Sequence, residues 1–420
     1  MKNWAGNLTY RARRVHEPGS VEEVQALVAE SRSIRAIGTR HSFSDIADTD
    51  GDLVSLAHLP RILDIDSSAR TVTIDGWMRY GDLGPRLNDA GFALDNLPAL
   101  PHVSIAGACA TGTHGSGDRS RVLADAVVGM ELVVGDGSIV RLVAGGDPSG
   151  IPLEAAAVAL GALGVITALT LRIEPAYSVR QDVFVDLPVV AFGEAFEIAT
   201  TQANSASFFT TWQSGVIDQV WLKRRVSGGE PARALADVAG ARPATRALHP
   251  IPGFSADACT PQLGEAGPWN ERLPHFRLSH TPSSGDELQS EYFVAREHAV
   301  DAFRELHAMG SQIAPLIQVS EVRTVAADEL WLSPAFGRPS VAFHFTWLAN
   351  GDAVRALLPR IENVLAPFAP RPHWAKLSTI SDAAIAASWP RLGDFAALSR
   401  RADPTGKLLN DRVRTVLGRE

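Results

Sequence analysis

Pro101-His102-Val103-Ser104-Ile105-Ala106-Gly107-Ala108-Cys109-Ala110-Thr111-Gly112-Thr113-His114-Gly115-Ser116-Gly117 is the stretch on which the fold turns. It contains no Asp, Glu, Lys or Arg, and nearly every side chain is small. Small residues let a backbone approach a ligand closely, and free N–H groups can form an anion nest. A pyrophosphate is the natural guest of such a loop. The competing reading is a buried packing loop with sharp turns. A second glycine loop, Gly38-Thr39-Arg40-His41-Ser42-Phe43, directly follows the strand expected at Ile34-Arg35-Ala36-Ile37. Neither loop is a G-x-G-x-x-G opening a helix, and G-x-x-x-x-G-K-[ST] is absent, so a dinucleotide would bind here by a route other than the Rossmann one.

Outward from these loops, the first third alternates helices and strands. Ser20 with Glu23 makes a capping box before Val24, Leu27 and Val28, which predicts a helix over roughly 20–32. Ile62 to Asp75 reads as a hairpin around Ser67-Ser68, Tyr80 to Ala90 as a short helix, and Val127 to Leu142 as a hairpin turning at Asp136-Gly137. This is an α+β domain ending near Glu174-Pro175. From about 178 to 370 the loops lengthen, and Pro and Gly cluster between 241 and 285. Strand-like runs stand at Val220–Lys223, Glu291–Val294, Pro315–Val325 and Val341–Leu348, with a helix expected over Val294–Ala308. A second α+β domain with an antiparallel sheet is the expectation. The last segment returns to helices around a loop at Asp403–Asn410.

Composition narrows the function classes. The 420 residues are 45% hydrophobic and carry a formal net charge of -8. That suits a globular chain of two or three domains and gives no basic field for a phosphate backbone, so nucleic acid is not an expected partner. Two cysteines, Cys109 and Cys259, cannot make a disulfide framework. The longest uncharged apolar run, Ala155 to Leu171, is broken by Gly161 and Gly164 and reads as helix, turn and buried strand rather than a membrane span. The N-terminal residues lack the apolar core of a signal peptide, and a cytoplasmic location is expected. No H-E-x-x-H or Cys-x-x-Cys offers a metal site, and no G-x-S-x-G offers a hydrolase elbow.

Two strands of the second domain carry candidate chemistry. Strand alternation puts Glu321 and Arg323 on one face of Gln318–Thr324. It puts His344 and Thr346 on one face of Phe343–Trp347, with Phe343, Phe345 and Trp347 on the other. A carboxylate, a guanidinium, an imidazole and a hydroxyl are thereby offered together; the alternative is a solvated face with an ordinary ion pair. Lys376 could add an ammonium to the same pocket. His41, following Gly38, is a neutral-form nucleophile placed where a cofactor could lie, and it could be covalently tethered to a flavin methyl group.

These motifs in order resemble the alditol (xylitol) oxidases of the vanillyl-alcohol-oxidase-like flavoproteins, and more distantly the sugar-lactone oxidases. The resemblance runs through Asn3-Trp4-Ala5-Gly6-Asn7, Arg40-His41-Ser42-Phe43, Leu100–Gly107 and Ala110–Gly117. It continues through Val220–Arg225, Glu287–Tyr292, Ser320–Asp328, His344–Trp347, Arg371–Trp374 and Asp403–Lys407. It implies an FAD-binding α+β domain over 1–177, completed by 376–420, beneath a substrate domain over 178–375 that holds an antiparallel sheet. It implies that His41 carries FAD covalently. It implies cofactor contacts from Ala36, Ile37, Gly38, Thr39, Arg40, His41 and Ser42, and from Ala99, Ser104, Gly107, Ala108, Cys109, Ala110, Thr111, His114 and Ile166. It implies polyol binding by Glu321, Arg323, Thr346 and Lys376, with Lys376, His344 and Arg323 catalytic. The partners implied are a small polyol and O2, with no nucleic acid and no membrane, and a monomer is compatible with this.

The implied reaction oxidises the terminal hydroxyl of a linear polyol such as xylitol or sorbitol to the aldose, with O2 reduced to hydrogen peroxide. One position departs from the family: Ala99 stands where alditol oxidases resemble one another in having a serine, and Pro98 replaces a small residue beside it. The alternatives are a sugar-lactone or hydroxy-acid flavin dehydrogenase using another acceptor, and a non-enzymatic sugar- or nucleotide-binding protein.

Overall fold

Ser20 opens the first helix, Val21–Glu30, as its spacing predicts: Ser20 Oγ accepts the Glu23 N–H at 3.2 Å. Glu23 reaches back to the N–H of Gly19 rather than Ser20, at 2.8 Å. Val24 and Val28 then pack with Ile34, Val54 and Val133 in a small core. The computed structural model describes all residues except 147–148, 214, 227–237, 281–286 and 420. The Pro/Gly-rich segment 241–285 is therefore described only as far as 280.

The strand Ile34–Ile37 pairs in parallel with Asp52–Ser55, which pairs in parallel with Arg14–His16. A second, antiparallel sheet runs in the order Leu63–Asp66, Thr71–Asp75, Val165–Arg172, Val127–Val133, Ile139–Val143. Its hairpins close where short polar side chains bond their own backbone. Asp66 Oδ1 accepts from the N–H groups of Ser68 and Ala69, and Asp136 Oδ1 from that of Ser138, with Gly137 at φ 86°. The strand Val165–Arg172 alternates buried residues at 165, 167, 169 and 171, as a half-buried strand should.

The 101–117 stretch is not a loop throughout. Ile105–Ala110 forms a short helix, because three alanines favour it and Ile105 and Cys109 bury one face of it. The helix expected from Val294 starts later. The strand Glu287–Ala295 keeps Val294 and Ala295 in register with Val341 and Ser340, and the helix is Ala299–Ala308. Here ladder pairing with a neighbouring strand overrides a local helical pattern.

The second sheet system is, among the described residues, one antiparallel array of nine strands. Its centre runs Ser178–Pro188, Val216–Val226, Ser205–Thr210, Ile317–Val325, Ser340–Leu348, Glu287–Ala295. One face is apolar. Phe208, Leu222, Tyr292, Val322, Phe343, Phe345 and Trp347 pack there against Phe192, Phe196, Phe303, Leu306, Leu357 and Ile361 from three covering helices. The other face carries Lys223, Glu291, Glu321, Arg323, His344 and Thr346 between apolar residues such as Phe209, Trp221 and Phe293, and its polar part turns toward the first two sheets.

Residues 403–410 return to the start of the fold. Ile34 N–H donates to the Lys407 carbonyl, Arg35 donates to the Leu408 carbonyl, and Asn410 Nδ2 donates to the carbonyls of Asp45, Ile46 and Asp48. Among the described residues no helix is long and apolar enough to cross a membrane.

Candidate active site

Between the polar face of the large sheet and the two glycine loops lies a cavity of about 320 Å³. Ala36, Ile37, Gly38, Thr39, Arg40, His41 and Ser42 line it, with Ser104, Gly107, Ala108, Ala110, Thr111 and His114. Ile166 and Ala99 contribute further wall, and Glu321, Arg323, His344, Thr346 and Lys376 complete it. Cys109 is the one expected residue that does not line it. Its thiol is buried in the hydrophobic core, so Cys109 can offer a ligand only its backbone.

The loop 38–42 is an open cradle. Among the described residues, nothing accepts the backbone N–H groups of Thr39, Arg40, His41 and Ser42, or those of Ala106 and Gly107. Such unused donors suit phosphate oxygens. A Cβ at Gly38 would collide with Ser104 Oγ, so loop and short helix pack into one continuous rim. Arg40 holds φ 64°, a left-handed conformation costing a non-glycine residue about 1–2 kcal/mol, and this strain sits next to His41. The apolar floor comes from Ile37, Ile46, Leu56, Leu160 and Ile166. Donor rim and apolar floor fit the pyrophosphate and the ring system of FAD.

His41 faces this cavity with Nδ1 3.0 Å from Thr39 Oγ1, and its ring stacks on Trp4 at 5.3 Å between centroids. Thr39 Oγ1 also accepts the Ser104 N–H at 3.1 Å, which fixes the hydroxyl beside His41. Burial pushes the His41 imidazolium down to about 4, which keeps the ring neutral at pH 7.

The opposite wall is set by strand register. Glu321, His344 and Glu291 stand directly across from one another on three neighbouring strands. Glu291 is fully buried and is the hub. Lys376 Nζ donates to its Oε2 at 2.8 Å, Arg323 Nη2 to its Oε1 at 2.8 Å, and His114 Nε2 to the same Oε1 at 3.2 Å. Burial alone would raise the Glu291 carboxyl, but Lys376, His114 and Arg323 together hold it well below the usual carboxylate range. Glu321 is likewise depressed: burial opposes ionisation, and Arg323 and His275 overcome it. His275 Nε2 donates to Glu321 Oε1 at 2.7 Å, and Arg323 Nε lies 3.4 Å from Oε2.

His344 differs from its neighbours. Its Nδ1 is 4.0 Å from Glu321 Oε2, and its Nε2 is buried without a hydrogen-bond partner among the described residues. Burial first, then Lys376, push its protonation well below the ordinary histidine range. It is a neutral base facing the cavity. Lys376, by contrast, is lowered by burial but opposed by Glu291.

Sequence reasoning placed Glu321, Arg323, His344, Thr346 and Lys376 on one wall, and the structure brings them together. It missed Glu291 and His275. The alternation Glu287, Gln289, Glu291 was available to reveal the first, since all three line the cavity. His275 lies in an irregular segment with no period to read.

A family model described as an FAD binding domain matches residues 12–143, and one for D-arabinono-1,4-lactone oxidase matches 286–416. An alditol oxidase of a Streptomyces species is 49% identical over 99% of this chain and 98% of its own. An L-gulono-1,4-lactone dehydrogenase of Mycobacterium tuberculosis is 28% identical over 99% and 98%. In shape the chain superposes on a cholesterol oxidase from B. sterolicum with a TM-score of 0.78 over 99% of this chain and 96% of that one, at 13% identity, a likeness of fold alone. With half its residues shared along its whole length, the chain belongs to the alditol oxidase family of FAD-binding, vanillyl-alcohol-oxidase-like flavoproteins.

Proposed function

We propose that this enzyme oxidises the terminal hydroxyl of a linear polyol such as xylitol or sorbitol to the aldose, with O2 reduced to hydrogen peroxide. The observation that carries the reading is the polar wall. Glu321, Arg323, His344, Thr346 and Lys376 present alternating acceptors and donors to one cavity. A chain of hydroxyls, each both donor and acceptor, can use the hydrogen-bonding capacity this wall has left beyond its internal ion pairs; an apolar substrate would displace water from it and return no hydrogen bond.

Bound FAD supplies the two-electron redox chemistry. The chain's residues do the rest. Arg323 and Lys376 donate to substrate hydroxyls and hold positive charge where an alkoxide forms. His344 Nε2, neutral and without a partner among the described residues, accepts the hydroxyl proton. Glu321 and Thr346 take further hydroxyls, and Glu291 keeps Lys376 and Arg323 oriented. His41 carries FAD covalently; its neutral ring, its hydrogen bond with Thr39 and its stacking on Trp4 favour this. In this reading residues 1–177 with 376–420 hold FAD and 178–375 hold the substrate, supported by the bonds from 407–410 to 34–48.

The test is anaerobic addition of xylitol, sorbitol and a sugar lactone to the yellow protein. Bleaching of the flavin by the polyols, then one peroxide per aldose once air is admitted, is the expected result. Bleaching by the lactone alone would replace this reading.

A further inference from the structure

Lys223 belongs to the motif Val220-Trp221-Leu222-Lys223-Arg224-Arg225, and the reaction above gives it no part. Its side chain is 1% exposed, yet it is a lysine in the middle of a sheet. Lys223 does not line the cavity. Its Nζ reaches three atoms of one segment: the carbonyls of Leu273 at 2.5 Å and Pro274 at 3.0 Å, and His275 Nδ1 at 3.0 Å. The other ring nitrogen of His275 donates to Glu321.

Proton counting fixes what this arrangement does. Each carbonyl accepts one N–H from Nζ. The Nζ···Nδ1 contact holds one more proton, on the lysine or on the imidazole. Wherever that proton sits, Nε2 keeps its own and donates to the carboxylate of Glu321. Without Lys223 the ring could take the other tautomer, with Nδ1–H on a carbonyl and a bare Nε2 lone pair against Glu321. The other charged or titratable groups around this pair are Arg323 beside Glu321, His344 across the strand and Cys259 near Lys223. None of them donates to Glu321 Oε1 among the described residues.

We infer that Lys223 is a positioning residue of the substrate site: through His275 it holds Glu321 as an oriented hydrogen-bond acceptor, and so sets affinity for a hydroxylated substrate without touching it. This rests on the polyol reading of the site. Burial brings the Lys223 ammonium down to about 7, against the opposing pull of Glu321.

The test is a double-mutant cycle on the FAD-loaded enzyme. Lys223→Met should raise the polyol KM about tenfold, the scale of a lost charge-assisted hydrogen bond, with kcat changed by less than about threefold. Flavin content and absorbance should be unchanged, and Lys223→Arg should restore part of the KM. Glu321→Gln should raise KM by itself, and adding Lys223→Met to it should change nothing further. A merely structural role would give additive effects, and additivity, or an unchanged KM in Lys223→Met, overturns the inference.

If Lys223→Met does not fold, His275 carries the test. His275→Gln keeps an N–H for Glu321 and should stay near wild type, whereas His275→Leu should raise KM as Glu321→Gln does. Wild-type KM in His275→Leu overturns the inference. Failure of the polyol reading looks different, because wild-type flavin is then not bleached by polyol at all, and the cycle is run on the hydroxylated substrate that does bleach it.

Discussion

Lys376 Nζ donates to Glu291 Oε2 at 2.8 Å across 85 residues of sequence, tying the segment after the large sheet to the sheet's polar face. The bond keeps the ammonium charged and aimed along the cavity wall despite its burial. Lys376→Met should leave FAD bound and lower the rate of flavin reduction by polyol about a hundredfold, equivalent to ~3 kcal/mol of transition-state stabilisation. Anaerobic stopped flow measures it, and an unchanged rate removes Lys376 from the chemistry.

The partner of that bond carries a different expectation. Glu291 neutralises Lys376 and shares Arg323 with Glu321, so Glu291→Leu strands the buried Lys376 ammonium. A stability loss of about 3–5 kcal/mol is expected from breaking a buried pair. Denaturant unfolding of the two proteins gives the number, and a loss under about 1 kcal/mol would show that water reaches this cation.

If His41 holds FAD covalently, wild-type protein denatured on a gel keeps its yellow fluorescence and His41→Ala loses it. Trp4 stacks on the ring and donates its backbone N–H to the Arg40 carbonyl, so Trp4→Ala should slow the appearance of that fluorescence when FAD is added to apoprotein. Complete release of flavin from denatured wild-type protein sinks the tether.

The placement of Glu321, His344 and Thr346 on strand faces was legible in the amino-acid sequence, because alternation within a strand is a local property. Their row across three strands was not. The pairing of Glu321 with His344 and Glu291 depends on which strands become neighbours and in what register. Lys376 and His275 reach the same wall from irregular segments, where no period says which way a side chain points. Cys109 shows the converse: a contact expected from a loop faces the core because the loop is helical there.

Ala99 lines the cavity, and its carbonyl accepts the N–H groups of His275 at 3.0 Å and Phe276 at 3.3 Å, which fixes its backbone. A serine hydroxyl at this fixed position would face the substrate. Ala99→Ser should shift the ratio of kcat/KM for xylitol over 1,2-propanediol by ~2- to 10-fold, from the worth of one hydrogen bond. Equal changes for both alcohols would mean the side chain only packs.

Acid should destabilise the fold in two stages. Burial lowers His275 from 6.5 to about 4 and His344 and His373 well below 6.5. The unfolded chain therefore binds protons that the folded one refuses, and stability falls as pH drops below about 6.5. Glu291 and Glu321 are depressed from 4.5, so their contribution, present above that value, is lost on further acidification. Melting temperature against pH should decline from about 6.5 downward and steepen below about 4.5. A flat curve between pH 7 and 4.5 would contradict the burial of these histidines.

The bonds from Lys407, Leu408 and Asn410 to residues 34–48 have a consequence for how the protein is made. Arg35 and Leu408 are 373 positions apart, so the nucleotide cradle gains its last support hundreds of residues after its loops leave the ribosome. Until then Arg35, 4% exposed in the finished fold, lacks one of its three carbonyl partners. Closing so long a loop is slow compared with forming the local hairpins. The cradle is therefore complete only when residues 403–410 have returned to it, and a chain still lacking them would offer the nucleotide a site without its last support.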